Sequence, residues 1–342
     1  MTRRTYTLIV GVVIIIVLGV VAARLPVQYA AMGPGVTFNT LGKDTDGKQI
    51  VEIKGRTTNK VRGHLNMTTV SELDHLDVLS AIRGWLSHDE AVVPREVLFP
   101  PGQTDKQIQQ QNAEDFVQSQ DSATSAALSY LHYPNKVVVG ALPDGSPSAK
   151  TLAVGDSIDT VDGTTVKDVD GLHAILTKLT PGTKVKVGFT HKHKPATGTI
   201  TTTKAAKGAK GAALGISVVF EPVAPFDITI SLANIGGPSA GLMFALGILE
   251  KVGTGGDLTG GTFIAGTGTI DPTGKVGAIG GIPLKMIGAK RAGAKVFLVP
   301  AANCAEAEGN HPSGLRLVKV SSLSGAVEAL KSLQHGGNPP SC

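Results

Sequence analysis

The stretch NIGGPSAGLMFALG, residues 234–247, joins a Gly-Gly-Pro-Ser turn to an almost wholly apolar segment. Pro238 suits the first position of a helix, because the N–H that proline lacks is not needed there. The residues that follow are apolar on nearly all sides, which predicts a buried helix. We therefore expect Ser239 at the start of this helix, beside free backbone N–H groups and a partial positive charge.

Ser239 has two possible roles at such a position. It can cap the helix by accepting a hydrogen bond from a backbone N–H group, which is the commoner role for a serine there. It can also be a nucleophile, since the helix start suits the oxyanion of acyl transfer, where one donor contributes about 3–4 kcal/mol. A serine nucleophile needs a base to take its proton.

Lys285 is the best candidate for that base. The histidines of the C-terminal region, His311 and His335, lie in polar, loop-like or tail sequence. A lysine can serve if its pKa falls from ~10.4 to roughly 7–8, which burial and a positive helix end both favour. Lys285 lies in the first turn of the predicted helix PLKMIGAKRAG, whereas Lys251 and Lys290 lie toward helix C-terminal ends and are interpreted as ordinary surface lysines.

The glycine-rich run GTGTIDPTGKV resembles a phosphate-binding loop only superficially. The gap from Gly268 to Gly274 is one residue too long, and Val276 occupies the place of the required serine or threonine. The glycines suit hairpin turns better. The sequence therefore predicts no ATP site, and it indicates no other cofactor.

The N-terminal stretch MTRRTYTLIVGVVIIIVLGVVAARL carries no charge between Arg4 and Arg24. Roughly 20 apolar residues are enough to cross a bilayer as a helix. Arg3 and Arg4 favour a cytoplasmic N-terminus, so we expect a single-pass anchor in the cell membrane with the other domains outside the cytoplasm. A cleaved signal peptide is the alternative, although the apolar run is long for one and no clear cleavage site follows closely.

Cys304 and Cys342 are the two cysteines of the chain. Outside the cytoplasm an isolated pair often forms a disulfide, which here would hold the C-terminal tail, and two free thiols are the alternative. The net charge of +5 is modest and aromatic residues make up 4% of the chain. This composition argues against a nucleic-acid partner.

The middle of the chain contains the series GSPSAK, GDSI and VDG, followed by an amphipathic helix and two strands. This order resembles a bacterial PDZ domain. PDZ domains bind a peptide as an added strand beside a helix. A module that only spaces other parts is the alternative, and the HKHK run is interpreted as an exposed hairpin face rather than a metal site. By the resemblance, the residues expected to border the groove are Val137, Val138, Val139, Gly140, Leu172 and Ile175.

The C-terminal region resembles the proteolytic domain of Lon proteases in two motifs, GGPSAG and the run TGTIDPTGKVGAIGGIPLKMIGAKRAGAKVFLVPAAN. The resemblance implies a catalytic pair, with Ser239 as nucleophile and Lys285 as general base. It also implies that the Thr267 hydroxyl helps to hold the lysine. The chain departs from classical Lon at Gly236, where an acidic residue is usual, and at residues 283–284, where Pro-Leu replaces a charged pair.

Taken together, the segments resemble the bacterial membrane-anchored PDZ-Lon proteases, with an α+β multidomain fold. The resemblance implies an endopeptidase that works without ATP on unfolded or flexible substrates, recruited or gated by the PDZ domain, and a possible homo-oligomeric ring. A catalytically inert PDZ-based binding or scaffold protein is the alternative. The expected parts are an anchor (1–26), a membrane-proximal β-rich region with a connecting helix (27–131), a PDZ domain (132–205), a Lon-type α/β proteolytic domain (212–333) and a tail (334–342).

Overall fold

The computed structural model of the chain describes residues 3–233, 235–253 and 257–342. Its helices are α1 (Arg3–Ala23), α2 (Val78–Leu86), α3 (Arg95–Leu98), α4 (Asp105–Tyr130), α5 (Val169–Thr177), α6 (Gly241–Val252), α7 (Ile282–Ala292), α8 (Cys304–Gly309) and α9 (Leu323–Gln334), with a 3₁₀ turn at Ala301–Asn303. Its strands are β1 (Tyr29–Asn39), β2 (Val51–Lys54), β3 (His64–Leu73), β4 (Ala91–Pro94), β5 (Asn135–Ala141), β6 (Ser157–Val161), β7 (Thr164–Thr165), β8 (Lys184–His191), β9 (Lys194–Thr201), β10 (Thr203–Lys204), β11 (Ala212–Ala213), β12 (Ser217–Pro222), β13 (Asp227–Ile230), β14 (Phe263–Gly266), β15 (Thr269–Ile270), β16 (Val276–Gly277), β17 (Val296–Pro300) and β18 (Arg316–Val320).

The chain divides into two compact units, which we call the catalytic unit and the PDZ unit after the domains that the sequence predicts for them. The catalytic unit contains Met1–Glu52, Thr58–Ala126 and Thr229–Cys342. The PDZ unit contains Ile53–Thr57 and Ala127–Ile228. Each unit has its own sheet, and each is described by itself.

The sheet of the catalytic unit has the strand order β18-β17-β14-β3-β1-β4. The four strands from β18 to β3 are parallel, while β1 runs antiparallel to both of its neighbours. The sheet thus combines strands from the predicted membrane-proximal region with strands from the predicted proteolytic domain. Strand β3 covers an edge of β14, with Phe263 opposite His64 and Gly266 opposite Met67. Because about 200 residues separate these partners, no local pattern in the sequence indicates their pairing.

Helices α6 and α7 pack on this sheet and carry the residues next to the site. Every residue of α6 is buried, as its continuous apolar sequence predicts. Helix α7 contacts β1 and β3. It begins after Gly281, whose φ of 69° is a left-handed conformation that glycine adopts at little cost.

Helix α4 corresponds to the connecting helix expected at residues 104–131. One face of its first part is buried in the catalytic unit through Phe116, Ser119 and Ala123. The glutamines nearer its start, Gln110 and Gln111, are exposed.

The PDZ unit contains a sheet of order β12-β5-β6-β8-β9, with β7 paired to β6. Helix α5 buries Leu172 and Leu176 against its core, and Asp168 caps the helix by accepting from the Gly171 N–H at 2.7 Å. Strand β12 pairs antiparallel with β5. The sequence places residues 212–333 in the proteolytic domain, but residues 217–222, which form β12, lie in the sheet of the PDZ unit instead.

Helix α1 is long and apolar enough to span a membrane, by length and composition. None of its residues is buried against protein. At the other end of the chain, Cys304 at the start of α8 and Cys342 are joined by a disulfide. Both cysteines pack against the apolar cluster around Phe297 in the catalytic unit.

Candidate active site

Ser239 lies two residues before the first residue of α6, so it does not cap the helix. The cap residue is Ala240, whose carbonyl accepts from the Met243 N–H at 3.0 Å and from the Phe244 N–H at 3.1 Å. Pro238 is accordingly outside the helix, and the prediction that it occupies the first helical position was wrong. The backbone bends at Gly237 and Pro238 and turns at Ser239 and Ala240, so the serine lies on the loop that enters the helix.

Three predicted site residues meet at this loop. The Lys285 Nζ lies 2.8 Å from the Ser239 Oγ and 3.3 Å from the Thr267 Oγ1. The Thr267 hydroxyl donates its own proton to the Ser239 carbonyl at 3.1 Å, so it presents a lone pair to the lysine. This arrangement fixes the position of Nζ against the serine oxygen.

The environment of Lys285 favours a neutral amine. The side chain is 3% exposed, and burial lowers its pKa from 10.5 to about 8. That change corresponds to about 3 kcal/mol against the charged form. Lys285 is therefore partly neutral near pH 8 without any neighbouring base.

Lys251 is a second buried lysine in the catalytic unit. It was expected at the surface, but it is buried at the end of α6, and burial lowers its pKa to about 8 as well. Its Nζ donates to Gln49 Oε1 at 3.1 Å and to the Val51 carbonyl. These partners hold it away from the Ser239 cleft, so its role is structural.

The turn that follows β14 holds one side of residues 235–240, which contain the predicted nucleophile Ser239 and which we call the nucleophile loop. The Gly268 N–H donates to the Ser239 carbonyl at 2.9 Å, and the Leu242 N–H donates to the Gly268 carbonyl at 3.1 Å. These bonds tie the loop and the first turn of α6 to the segment that carries Thr267. They also use the Leu242 N–H group that an isolated helix start would offer to an anion.

Helix α4 holds the same loop from the other side, through residues that the sequence analysis did not select. The Gly237 N–H donates to the Asn112 carbonyl at 2.8 Å, and the Ser119 hydroxyl donates to the Pro238 carbonyl at 3.0 Å. A side chain at Gly236 would place its Cβ 2.8 Å from the Cβ of Asn112. The close approach of α4 thus excludes the acidic residue that classical Lon proteases have at this position.

A sequence signal for this contact does exist. Phe116, Ser119 and Ala123 recur at helical spacing among polar residues, which marks one face of α4 as buried. Phe116 also packs edge-on against Phe244 of α6, with ring centroids 5.7 Å apart. The spacing predicts a buried stripe, but it does not indicate that the stripe lies on the nucleophile loop.

Ser239 and Lys285 open into a cleft of about 560 Å³ within the catalytic unit. One wall is the nucleophile loop and Asn112, and the other is formed by β1 and β3. The β1 and β3 residues that line it are Pro34, Gly35, Val36, Met67, Thr69, Val70, Ser71 and Glu72. Glu72 gives the cleft an acidic group.

The predicted peptide groove of the PDZ unit requires a correction. Strand β5 is paired on both edges, to β12 and to β6, and Val137, Val138 and Val139 are buried, so a peptide cannot add to residues 137–140. The strand at the edge next to β5 is β12, and β9 lies at the other edge of the sheet. A cavity of about 640 Å³ lies between α5 and the segment Leu214–Val218. Leu172, predicted to border the groove, lines this cavity, and both Leu172 and Ile175 pack in the apolar core of the unit.

Comparison with known protein families finds a match for two parts of the chain. A model of the Lon protease (S16) C-terminal proteolytic domain matches residues 233–330, and a PDZ domain model matches residues 108–202. The chain combines a PDZ domain with a Lon-type proteolytic domain. It is therefore a protease of the serine peptidase class, and both resemblances drawn from the sequence are confirmed.

Solved structures match about a quarter of the chain. The PDZ domain of the SdrC-like protein from Listeria monocytogenes is 27% identical, covering 25% of this chain and 87% of its own, with a TM-score of 0.23. The corresponding domain from Listeria innocua is 25% identical, covering 24% and 92%, with a TM-score of 0.23. A protein from Geobacillus thermodenitrificans is 21% identical, covering 24% and 94%, with a TM-score of 0.22. No curated protein matches the chain in sequence.

Proposed function

We propose that the protein is a membrane-anchored serine endopeptidase in which Ser239 is the nucleophile and Lys285 the general base. The observation that carries this proposal is the 2.8 Å contact between Lys285 Nζ and Ser239 Oγ in a buried site. The Lon-type match over residues 233–330 supports the reaction class. Activation of a serine by a desolvated lysine is an established form of nucleophilic catalysis.

In the proposed reaction, neutral Lys285 takes the hydroxyl proton of Ser239 as Oγ attacks the peptide carbonyl carbon. The carbonyl oxygen becomes an oxyanion, which we assign to backbone N–H groups at Ser239 and Ala240. The protonated lysine then gives its proton to the leaving amine, and the acyl-enzyme forms. Lys285 next takes a proton from water, which attacks the ester, and the proton returns to Ser239 as the acid product leaves.

Thr267 is a positioning residue in this scheme. Its hydroxyl proton is committed to the Ser239 carbonyl, so its oxygen accepts from Lys285. The lone pair of the neutral amine is then free to point at the serine hydroxyl. Loss of this hydroxyl should lower the rate without removing the nucleophile.

We further propose that the PDZ unit recruits or gates peptide substrates through the cavity between α5 and Leu214–Val218. A peptide adding to β12 would extend the sheet, which is the usual way a PDZ domain binds. The cleavage consumes only water, so we propose that it proceeds without ATP, on substrates that are already unfolded or flexible. Helix α1 would anchor the protein, with its N-terminus cytoplasmic and the two units outside.

The experiment that tests this function measures cleavage of a denatured protein by the full chain in detergent, with and without ATP. Wild type should cleave at the same rate in both conditions, and Ser239→Ala and Lys285→Ala should not cleave. Lys290→Ala is the matched control, because Lys290 lies on the same helix but donates to the Gly314 carbonyl at 3.1 Å. Unchanged cleavage by Ser239→Ala would contradict the assignment, and peptide binding without any cleavage by wild type would favour the inert scaffold.

A further inference from the structure

Helix α2 turns its small residues toward the protein and its large apolar residues toward the outside. It buries Ala81 and Gly84 and exposes its large residues. The Cβ of any residue at position 84 would lie 2.5 Å from Cγ2 of Val92 on β4, so the small side must face inward. The outward-facing residues are Leu79 (57% exposed), Ile82 (44%), Trp85 (56%) and Leu86 (77%).

These four side chains form one continuous surface, which we call the α2 patch. At 3.6 residues per turn they span an arc of roughly 120° on the helix. Arg83 lies next to the arc on its polar side and is exposed. Trp85 is held in place by Tyr29, whose ring meets it edge-on with centroids 5.2 Å apart. A fixed apolar surface of this size beside a cation is typical of helices that lie in a membrane interface.

The position of α2 next to the end of α1 indicates what covers the α2 patch. The Val78 N–H donates to the Leu25 carbonyl at 3.1 Å, and the Val27 N–H donates to the Leu76 carbonyl at 2.9 Å. These bonds tie the start of α2 to the residues that directly follow α1. If α1 crosses the bilayer, its end at Ala23 lies at the bilayer surface. Helix α2 then starts at the same depth.

We propose that α2 lies in the outer interface of the membrane that α1 crosses, with the α2 patch at the boundary between headgroups and acyl chains. Trp85 has the amphipathic ring that is enriched at this level, and Arg83 reaches the lipid phosphates. The proposal rests on the membrane anchor of the proposed function. It adds a second attachment, which restricts how the catalytic unit turns about α1.

The test uses the natural fluorescence of the full chain, because Trp85 is its only tryptophan. The protein is reconstituted into vesicles of phosphatidylcholine and phosphatidylglycerol, with or without lipids brominated near the headgroup end of the acyl chains. The bromolipids should quench Trp85 emission, and water-soluble acrylamide should quench it little. In the variant carrying Leu79→Ser, Ile82→Ser and Leu86→Ser, bromolipid quenching should be lost and acrylamide quenching should appear.

The matched control is Val117→Ser, which removes an equally exposed apolar side chain outside the patch and should behave as wild type. Flotation with the vesicles separates this proposal from the anchor itself. A chain that floats while acrylamide rather than bromolipid quenches Trp85 overturns the α2 proposal and leaves the anchor intact. Shielding from both quenchers would show that a second protein copy covers the patch and would equally overturn it. If the chain does not float with the vesicles, the result refutes the membrane anchor itself.

Discussion

Lowering the pH from 8 to 6 should slow acylation of Ser239 about 50-fold if Lys285 is the base. Only the neutral amine can take the serine proton, and burial places the pKa of Lys285 at about 8. With that pKa about half of the lysine is neutral at pH 8 and about 1% at pH 6, since each pH unit well below the pKa costs a factor of about ten. The rate should therefore rise with pH through about 8 and then level off.

The size of this change distinguishes a lysine base from a histidine base. A histidine with a pKa near 6.5 would lose only about fourfold in rate between pH 8 and pH 6. The lowered pKa of Lys285 arises from burial, with 3% of the residue exposed. Opening the site to water should therefore raise the pKa seen in the pH–rate profile toward the ordinary value for lysine.

The assay should follow the first chemical step rather than turnover, because product release can hide a pKa. The full chain in detergent is mixed with a serine-directed acylating probe, and labelling of Ser239 is timed at pH 5.5 to 9.5. Lys285→Met is the matched variant and should lose the pH limb together with the fast labelling. A limb centred near 6.5 in wild type, or one that persists in Lys285→Met, would refute the reasoning.

Three further predictions concern stability, loop positioning and peptide binding. Lys285→Met should have a larger free energy of unfolding in urea than wild type at pH 6.5, and this difference should shrink by about 2 kcal/mol by pH 9.5. The buried cation destabilises folded wild type below the lowered pKa of Lys285, and deprotonation removes this penalty as the pH rises. A difference in stability that does not change with pH would contradict the lowered pKa. Ser119→Ala should cost about 1 kcal/mol of stability and lower kcat more than it raises KM, because it removes the hydrogen bond that holds the nucleophile loop. Thr124→Ala is the control, because it loses only a hydrogen bond within α4. Equal kinetics for the two variants would argue against a role of Ser119 in positioning the loop. Ile216→Asp should weaken peptide binding by the PDZ unit about tenfold or more and leave cleavage of a short peptide unchanged. The control Val154→Asp, at an exposed position, should leave both binding and cleavage unchanged. Titration calorimetry measures the binding, and an unchanged affinity of Ile216→Asp would exclude the cavity beside α5 as the peptide groove.

The PDZ unit shows where reading strands from sequence is insufficient. The run NKVVVGAL has the composition of a strand and forms β5, and VDGLHAILTKL has the spacing of an amphipathic helix and forms α5. Which edge of the sheet is free depends on the distant strand β12, which pairs with β5 from residue 217 onward. The strand that the sequence predicts as the border of the groove is therefore paired on both edges.

The sequence by itself was enough to predict an apolar N-terminal helix, a buried helix after Ser239 and the motifs that resemble PDZ and Lon domains. These features depend on short-range periodicity and on residue types at fixed spacing, which a linear chain displays directly. Only the tertiary structure brings Lys285 to 2.8 Å from Ser239, and only it places α4 against the nucleophile loop and β3 beside β14. These contacts join segments far apart in sequence, and their geometry depends on how the strands order in the sheet. The lowered pKa of Lys285 has the same origin, because desolvation depends on what the fold packs around the amine.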